Sequence, residues 1–263
     1  GLVWAGHHVA LVSQIGRDDT ADWLLAEASL QGLNCALLHR NDIATPELML
    51  LMTPDGERTI IRPARPRFVL NAAPDLSRWD AMYVNTSAEG VEAWAKAAVT
   101  CVANDVLVVA QLPKGDERRP CHVLITSASD LAAHRQCHQQ PCHPHDPRSA
   151  IEVSTAVDVS SEAIWAYGQS VGGERLRYFI VTEGEKGAMA YSSHGVETVS
   201  AVPAEVVDTT GAGDAFAAGV IHALLAGYSI QLAMETGAKW AAFAVETSSS
   251  IPGKAFKQYI EQR

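Results

Sequence analysis

The sequence has no excess of positive charge, no long apolar segment and few cysteines. Its 263 residues include 20 Lys and Arg against 30 Asp and Glu, which gives a net charge of −10. Proteins that bind nucleic acid or anionic membranes need the opposite balance, so the composition speaks against both classes of partner. No apolar run reaches the roughly 20 residues of a membrane span, and the start does not resemble a signal peptide.

The cysteines do not suggest disulfides or a zinc site. They are five in number and mostly scattered through predicted strands and helices, so we expect a reducing, cytoplasmic protein. Cys137 and Cys142 lie with three histidines in QCHQQPCHPHDP, residues 136–147. A zinc knuckle would need a second pair of ligands well downstream, which is absent. The segment is therefore predicted to be a polar insertion between a helix and a strand.

From about Trp79 onward, short apolar runs alternate with helical segments. The runs AMYV, DVLVVAQ, CHVLIT and RYFIVT are predicted strands. This alternation predicts an α/β fold with a mostly parallel central sheet and helices on both faces. In such sheets the ligand lies beyond the carboxyl ends of the strands.

The first part of the chain predicts a strand at residues 8–16, then a helix capped by Asp19 or Thr20, and then a hairpin turning at PDG, residues 54–56. Its first arm, residues 48–52, is apolar on both faces, so it is either buried in a sheet or covered by a second molecule. We interpret residues 35–63 as a small β lid on a single domain that spans residues 1–263.

The stretch VVDTTGAGDAFAAGVI leads from a β-branched run into an alanine-rich one. Small residues at the start of a helix let an anion approach unpaired backbone N–H groups. A carboxylate beside that anion, Asp214, makes sense as a base for a hydroxyl that attacks a phosphate. The residues exclude a P-loop, because that motif needs Lys followed by Ser or Thr at the positions of Asp214 and Ala215. They also exclude a dinucleotide-binding motif, which needs a small residue at the position of Phe216. The alternative is an ordinary helix start in which Gly and Asp only cap.

Residues 208–221 resemble, without a departure, the carboxyl-terminal signature of the ribokinase-like (PfkB) family of carbohydrate kinases. Other segments resemble the family in the same order. These are Gly6 and Gly16 around HHVALVSQI, the lid hairpin PDGERT, TSASDL, and VTEGEKGA. The resemblance covers nearly the whole chain and is firmest from Tyr178 onward. It implies a ribokinase-like fold with a small β lid.

The resemblance also implies roles in catalysis. Asp214 would be the base for the substrate hydroxyl. The N–H groups of Gly211, Ala212 and Gly213 would form the anion hole for the transferred phosphoryl group.

For the nucleotide, the resemblance implies that Thr182, Gly184 and Gly187 line ATP, although VTEGEKGA alone could equally be a surface turn. TSASDL takes the place of the family's Asn-x-x-Glu element, with Ser127 for Asn and Asp130 for Glu. Asp130 would then contact Mg²⁺ through water, or the pair would be a plain helix cap.

The resemblance also implies a site for a monovalent cation such as K⁺, formed by Asp208, Thr210 and backbone carbonyls of residues 245–250. That loop lacks the family's usual glycine, so Asp208 is alternatively a helix-entry cap. The family also begins with a core strand carrying a sugar-binding Asp and a Gly-Gly helix start, and neither precedes Gly6. We therefore expect that residues are missing ahead of the printed sequence.

The sequence as a whole predicts an ATP-dependent, Mg²⁺-requiring kinase that phosphorylates a hydroxymethyl group of a sugar or sugar-like small molecule. Two alternatives stay open: a nucleoside kinase of the same fold, and a catalytically inactive nucleotide-binding regulator, against which the intact Asp214 speaks. The apolar arm at residues 48–52 predicts a homodimer formed through the lid.

Overall fold

The computed structural model describes residues 1–52, 58–61, 68–70, 75–101, 105–139, 160–247 and 253–261. Within these ranges the strands and helices in chain order are β1 (Gln14–Ile15), α1 (Asp19–Leu30), β2 (His39–Arg40), β3 (Met49–Met52), β4 (Arg58–Ile61), β5 (Ala81–Val84), α2 (Val91–Val99), β6 (Leu107–Gln111), β7 (Val123–Ser127), α3 (Ala128–Gln139), α4 (Ser161–Gly172), β8 (Tyr178–Thr182), β9 (Ala188–Ser192), β10 (Gly195–Val199), α5 (Ala212–Leu225), α6 (Ile230–Val245) and α7 (Gly253–Glu261).

The main sheet has six strands in the order β10-β9-β8-β7-β6-β5. Strands β5 to β8 are parallel, whereas β9 and β10 form an antiparallel hairpin at one edge. Runs of Val, Ile and Leu suit the parallel strands because these strands are buried on both faces. The predicted mostly parallel central sheet is confirmed.

Helices cover both faces of this sheet. In β7, Val123 and Ile125 pack in one core cluster with residues of α5 and α6, such as Phe216. Leu124 packs on the other face in a second cluster, which contains residues of α2, α3 and α4. This alternation follows from the two-residue period of side chains along a strand.

Two glycines allow α5 to pack very closely against α6. A Cβ added at Gly219 would lie 2.8 Å from the Cα of Gly237, which is closer than real Cβ contacts. Because α5 is fixed by this backbone contact, its first turn is held at a defined place beside the sheet.

The connection from β6 to β7, residues 112–122, contains no helix. Arg119 fixes it, since its side chain is only 2% exposed and its backbone N–H donates to the carbonyl of Val171 in α4. The guanidinium of Arg119 also donates to the Ser87 hydroxyl and to the Glu117 carboxylate.

The first strand is much shorter than predicted. Of residues 8–16, only Gln14 and Ile15 form a strand, which pairs in parallel with β2 in a separate two-stranded sheet. The prediction of one continuous strand was wrong, because β1 and β2 are paired over only two residues each. Helix α1 is capped by Asp18, whose carboxylate accepts from the N–H of Ala21, rather than by Asp19 or Thr20.

The predicted lid hairpin is present as β3 and β4, which pair antiparallel, while its PDG turn lies outside the described residues. No helix in the described ranges is long and apolar enough to cross a membrane. The same ranges hold no group of three His, Cys, Asp or Glu residues arranged for a metal ion. Of the histidine-cysteine segment, Cys142, His143 and His145 lie outside the described residues.

A pair of histidines ties the amino-terminal segment to α5. His7 Nε2 lies 2.9 Å from His222 Nδ1, and the His222 ring stacks on Trp240 with the ring centroids 5.3 Å apart. Burial, and to a lesser extent the charge of His7, lowers the pKa of His222.

We expect the stability of the fold to decrease at mildly acidic pH, partly because of His222. Below about pH 6.5 the unfolded chain takes up a proton that folded His222 resists, so stability falls as the pH falls through that value. Urea unfolding at pH 7.5 and pH 5.5 measures this difference. His222→Gln should show a smaller loss than the wild type, whereas His194→Gln, in the exposed turn after β9, should not differ from the wild type. An unchanged loss in His222→Gln would contradict the assignment.

Candidate active site

The carboxyl ends of the four parallel strands bring polar side chains to one edge of the sheet. Ser127 and Thr182, the last residues of β7 and β8, are directly paired. Gln111 ends β6, and Asn85 directly follows β5. The predicted ligand-binding edge therefore carries four neighbouring hydrogen-bonding side chains.

Asp214 reaches this edge from the first turn of α5. One of its carboxylate oxygens, Oδ1, accepts from Asn85 Nδ2 at 3.0 Å and from the Tyr83 hydroxyl at 3.4 Å. The Tyr83 hydroxyl in turn accepts from Gln111 Nε2 at 2.9 Å. The carboxylate is thus exposed but oriented by two side chains at the end of β5, one of which is held in turn by Gln111 of β6.

Tyr83 is held in its protonated form. Burial, together with the negative charge of Asp214, raises the pKa of Tyr83 well above its usual value, while the Gln111 hydrogen bond opposes this shift. At neutral pH the hydroxyl therefore stays protonated and donates a hydrogen bond to the Asp214 carboxylate.

The small-residue turn ahead of Asp214 leaves open space at the helix start. Gly211 is the N-cap residue, with φ of +83°, a left-handed conformation that favours glycine. Nothing lies within 4 Å of a Cβ added at Gly211 or Gly213. The N–H of Ala212 makes a long 3.3 Å bond to the carbonyl of Thr209, and no acceptor for the N–H of Gly213 is found among the described residues. These groups can therefore face an anion.

Asp208 is not the cap of α5, so that alternative interpretation was wrong. The helix begins after Gly211, three residues further on. The Asp208 carboxylate instead accepts from the N–H of Thr210 at 2.8 Å and stabilises the turn that leads into the helix. Part of the loop predicted to complete a cation site, residues 248–250, lies outside the described residues.

The segment VTEGEKGA forms the end of β8, a short 3₁₀ turn and the start of β9. The Thr182 hydroxyl donates to the carbonyl of Thr126 at 3.3 Å, and Gly184 is exposed. Gly187 is buried, and a Cβ there would lie 2.0 Å from the carbonyl oxygen of Val199. The absence of a side chain at Gly187 is therefore required by the protein's own backbone.

Ser127 caps α3. Its hydroxyl accepts from the N–H of Asp130 at 3.0 Å and donates to the Asp130 carboxylate at 2.8 Å. This is the geometry of a helix cap. Asp130 is also exposed, so its carboxylate offers the oxygen that a Mg²⁺-bound water requires.

Sequence reasoning missed Tyr83, Asn85 and Gln111. Tyr83 was seen only as part of a predicted strand, and Gln111 as the last residue of another. Their positions could have identified them, because each lies at or just after the carboxyl end of a predicted strand, where the ligand was expected.

The chain matches a family model and parts of known kinases in sequence. The model of the family described as "pfkB family carbohydrate kinase" matches residues 1–255. A 5-dehydro-2-deoxygluconokinase of Geobacillus thermodenitrificans is 37% identical over 84 residues, 32% of this chain and 25% of that protein. A nucleoside kinase of Methanocaldococcus jannaschii is 38% identical over 74 residues, 28% of this chain and 24% of that protein. The matched segments thus span about a quarter of the length of these relatives.

A solved structure extends the similarity to the whole fold. The ribokinase of Cryptococcus neoformans var. grubii serotype A, in complex with ADP, superposes with a TM-score of 0.75 and 21% identity. The superposition covers 98% of this chain and 85% of the ribokinase chain. At this identity the likeness shows the fold alone, and the fold is ribokinase-like.

Proposed function

Because the chain belongs to the pfkB family of carbohydrate kinases, we propose that it is an ATP-dependent phosphotransferase. Its acceptor is a hydroxymethyl group of a sugar or sugar-like small molecule. The observation that carries this proposal is the Asp214 carboxylate, held by Asn85 and Tyr83 within one turn of a helix start with open N–H groups.

In this proposal Asp214 takes the proton from the acceptor hydroxyl as its oxygen attacks the terminal phosphorus of ATP. The bond from that phosphorus to ADP breaks, and the proton stays on the carboxylate until it exchanges with water. The N–H groups of Gly211, Ala212 and Gly213 hold the phosphoryl oxygens, where the partial positive charge of the helix start is greatest.

We further propose that Thr182, Gly184 and Gly187 lie along the nucleotide. Gly184, with φ of +56°, and the 3₁₀ turn that it begins leave the backbone exposed. Gly187 contributes by shaping the loop from within.

Ser127 pairs with Thr182 at the same edge, and its hydroxyl donates to the Asp130 carboxylate. The Asp130 carboxylate suits a Mg²⁺ ion held through water, and that ion would neutralise phosphate charge when bound. For a monovalent cation such as K⁺, we propose the oxygens of Asp208 and Thr210, which already form one turn.

An ADP-release assay with a panel of ketoses, aldoses, sugar acids and nucleosides tests the proposed function. At least one acceptor should raise ADP release by the wild type above that by Asp214→Asn. If no acceptor does so, the kinase proposal fails and the inactive nucleotide-binding regulator takes its place.

A nucleoside kinase is the second candidate. It is supported by the 38% identity over 74 residues to the nucleoside kinase of Methanocaldococcus jannaschii, which is similar to the 37% over 84 residues to the 5-dehydro-2-deoxygluconokinase. Preferential ADP release with nucleosides in the same panel would select it over a sugar kinase.

We also propose that two copies of the chain pair through their lids. Four neighbouring residues are between 43% and 59% exposed, namely Leu48 and the first three residues of β3, Met49, Leu50 and Leu51. Successive residues of a strand point to opposite faces, so both faces of β3 carry exposed apolar side chains. A two-stranded hairpin this apolar on both faces is unusual unless another surface covers it.

Sedimentation at micromolar concentration should therefore show a particle of about twice the 28.1 kDa chain mass. Replacing Leu48 and Leu50 together with lysine should give the monomer. Leu30→Lys is the matched control, because Leu30 is an exposed leucine in α1 and does not belong to the lid, residues 35–63. A wild type that sediments only as a monomer would contradict the proposal.

A further inference from the structure

Four side chains at the carboxyl edge form one chain of hydrogen bonds, which we call the Asp214 chain. It runs from Gln111 Nε2 to the Tyr83 hydroxyl, from that hydroxyl to Asp214 Oδ1, and from Asn85 Nδ2 to the same oxygen. Its members come from the ends of β5 and β6 and from the first turn of α5.

Both donors converge on a single carboxylate oxygen. Asn85 and Tyr83 donate to Oδ1, and no hydrogen bond to Oδ2 is seen within the described part of the chain. The two oxygens of Asp214 are therefore not equivalent. Oδ1 anchors the carboxylate, and Oδ2 is left to take the substrate proton.

The Tyr83 hydroxyl has one proton to give, and Gln111 determines where it goes. Because Gln111 Nε2 donates to the hydroxyl oxygen, the hydroxyl is left to donate its own proton to Asp214. The Tyr83 to Asp214 bond is long at 3.4 Å, so its strength depends strongly on the direction of that hydroxyl. Without Gln111 the hydroxyl could rotate towards water.

We propose that Gln111 is a positioning residue for the phosphoryl transfer, acting on Asp214 through Tyr83, and that Asn85 is a second positioning residue acting on Asp214 directly. This inference rests on the proposed kinase function. It assigns Oδ2 of Asp214 as the oxygen that accepts the proton.

The test is a double-mutant cycle on kcat, measured by ADP release with the best acceptor. Tyr83→Phe and Gln111→Leu should each lower kcat about 3- to 10-fold, with KM for ATP unchanged. The double variant should be no slower than Tyr83→Phe alone, because Gln111 has no route to Asp214 once the hydroxyl is gone. Asn85→Ala should lower kcat about 10-fold and should add to the effect of Tyr83→Phe.

Two further variants separate positioning from structure. Gln111→Glu keeps the size but offers an acceptor in place of a donor, so it should lower kcat at least as much as Gln111→Leu. Tyr178→Phe removes a hydroxyl at the opposite end of the sheet, the first residue of β8, and should leave kcat unchanged.

The results that would overturn this inference differ from those that would overturn the proposed kinase function. Wild-type activity that is lost in Asp214→Asn but intact in Gln111→Leu would overturn this inference and leave the kinase proposal standing. Effects of Tyr83→Phe and Gln111→Leu that multiply in the double variant would also overturn it, since they would act by separate routes.

Discussion

Asp214→Asn is expected to lower kcat by about three orders of magnitude, in the middle of the range for the loss of a general base. The amide has nearly the shape of the carboxylate but cannot take a proton from the acceptor hydroxyl. Its carbonyl oxygen would take the place of Oδ1 and accept from Asn85 and Tyr83, so its N–H₂ group would lie where Oδ2 meets the acceptor hydroxyl. KM for ATP should change little, because the proposed nucleotide contacts lie on other elements.

The matched control is Asp19→Asn. Asp19 is likewise an acidic residue in the first turn of a helix, but that helix, α1, follows β1 of the separate two-stranded sheet. Its replacement should leave kcat unchanged. The thermal unfolding midpoint of Asp214→Asn should stay close to that of the wild type because Asp214 is exposed. A variant that retains more than about a tenth of wild-type kcat would show that another group acts as the base.

Gly187→Ala is expected to destabilise the fold by about 3 kcal/mol or more. Gly187 has φ of +105°, which is strained for a residue with a side chain, and this strain costs about 1–3 kcal/mol. The new methyl would also meet the Val199 carbonyl at 2.0 Å and the Ala201 nitrogen at 2.8 Å, and overpacking of this kind costs about 1–3 kcal/mol more. Urea unfolding measures the loss as a lower midpoint.

Gly195→Ala separates the two causes. Gly195 also has a positive φ, +126°, but nothing lies within 4 Å of an added Cβ. It should therefore lose only the strain contribution. If the two variants were destabilised equally, the close approach of the Val199 carbonyl would not be the source of the larger effect.

Much of the fold follows from local pattern. The alternation of Val-rich runs with helical segments was sufficient to predict strands β5 to β8 and the helices that cover them, because burial on both faces leaves its mark on composition. The short length of β1 was not predictable from the apolar residues around it. A strand needs a partner along its length, and β1 is paired with β2 over only two residues.

The candidate site was predictable only in its contiguous part. Residues 211–214 are neighbours in sequence, so their small size and charge could be interpreted together. Asn85 and Tyr83 contact Asp214, and Gln111 contacts Tyr83, only because of the register of parallel strands and the packing of α5 against α6. No local sequence pattern records these contacts. Gly187 shows the opposite case, since its small size was correctly noticed but is needed for the Val199 carbonyl.

The separation of Asp214 from its partners also affects how the chain matures during synthesis. Asn85 and Tyr83 precede Asp214 by 129 and 131 residues. At roughly 5–20 residues per second, about 6–26 s pass between their emergence from the ribosome and that of Asp214. Once β6 and β7 have been made, the face that α5 and α6 later cover, including Val109, Val123 and Ile125, has no covering helix until those two helices follow. This apolar face of the nascent chain therefore stays open to aggregation until residues beyond Asp214 have been made.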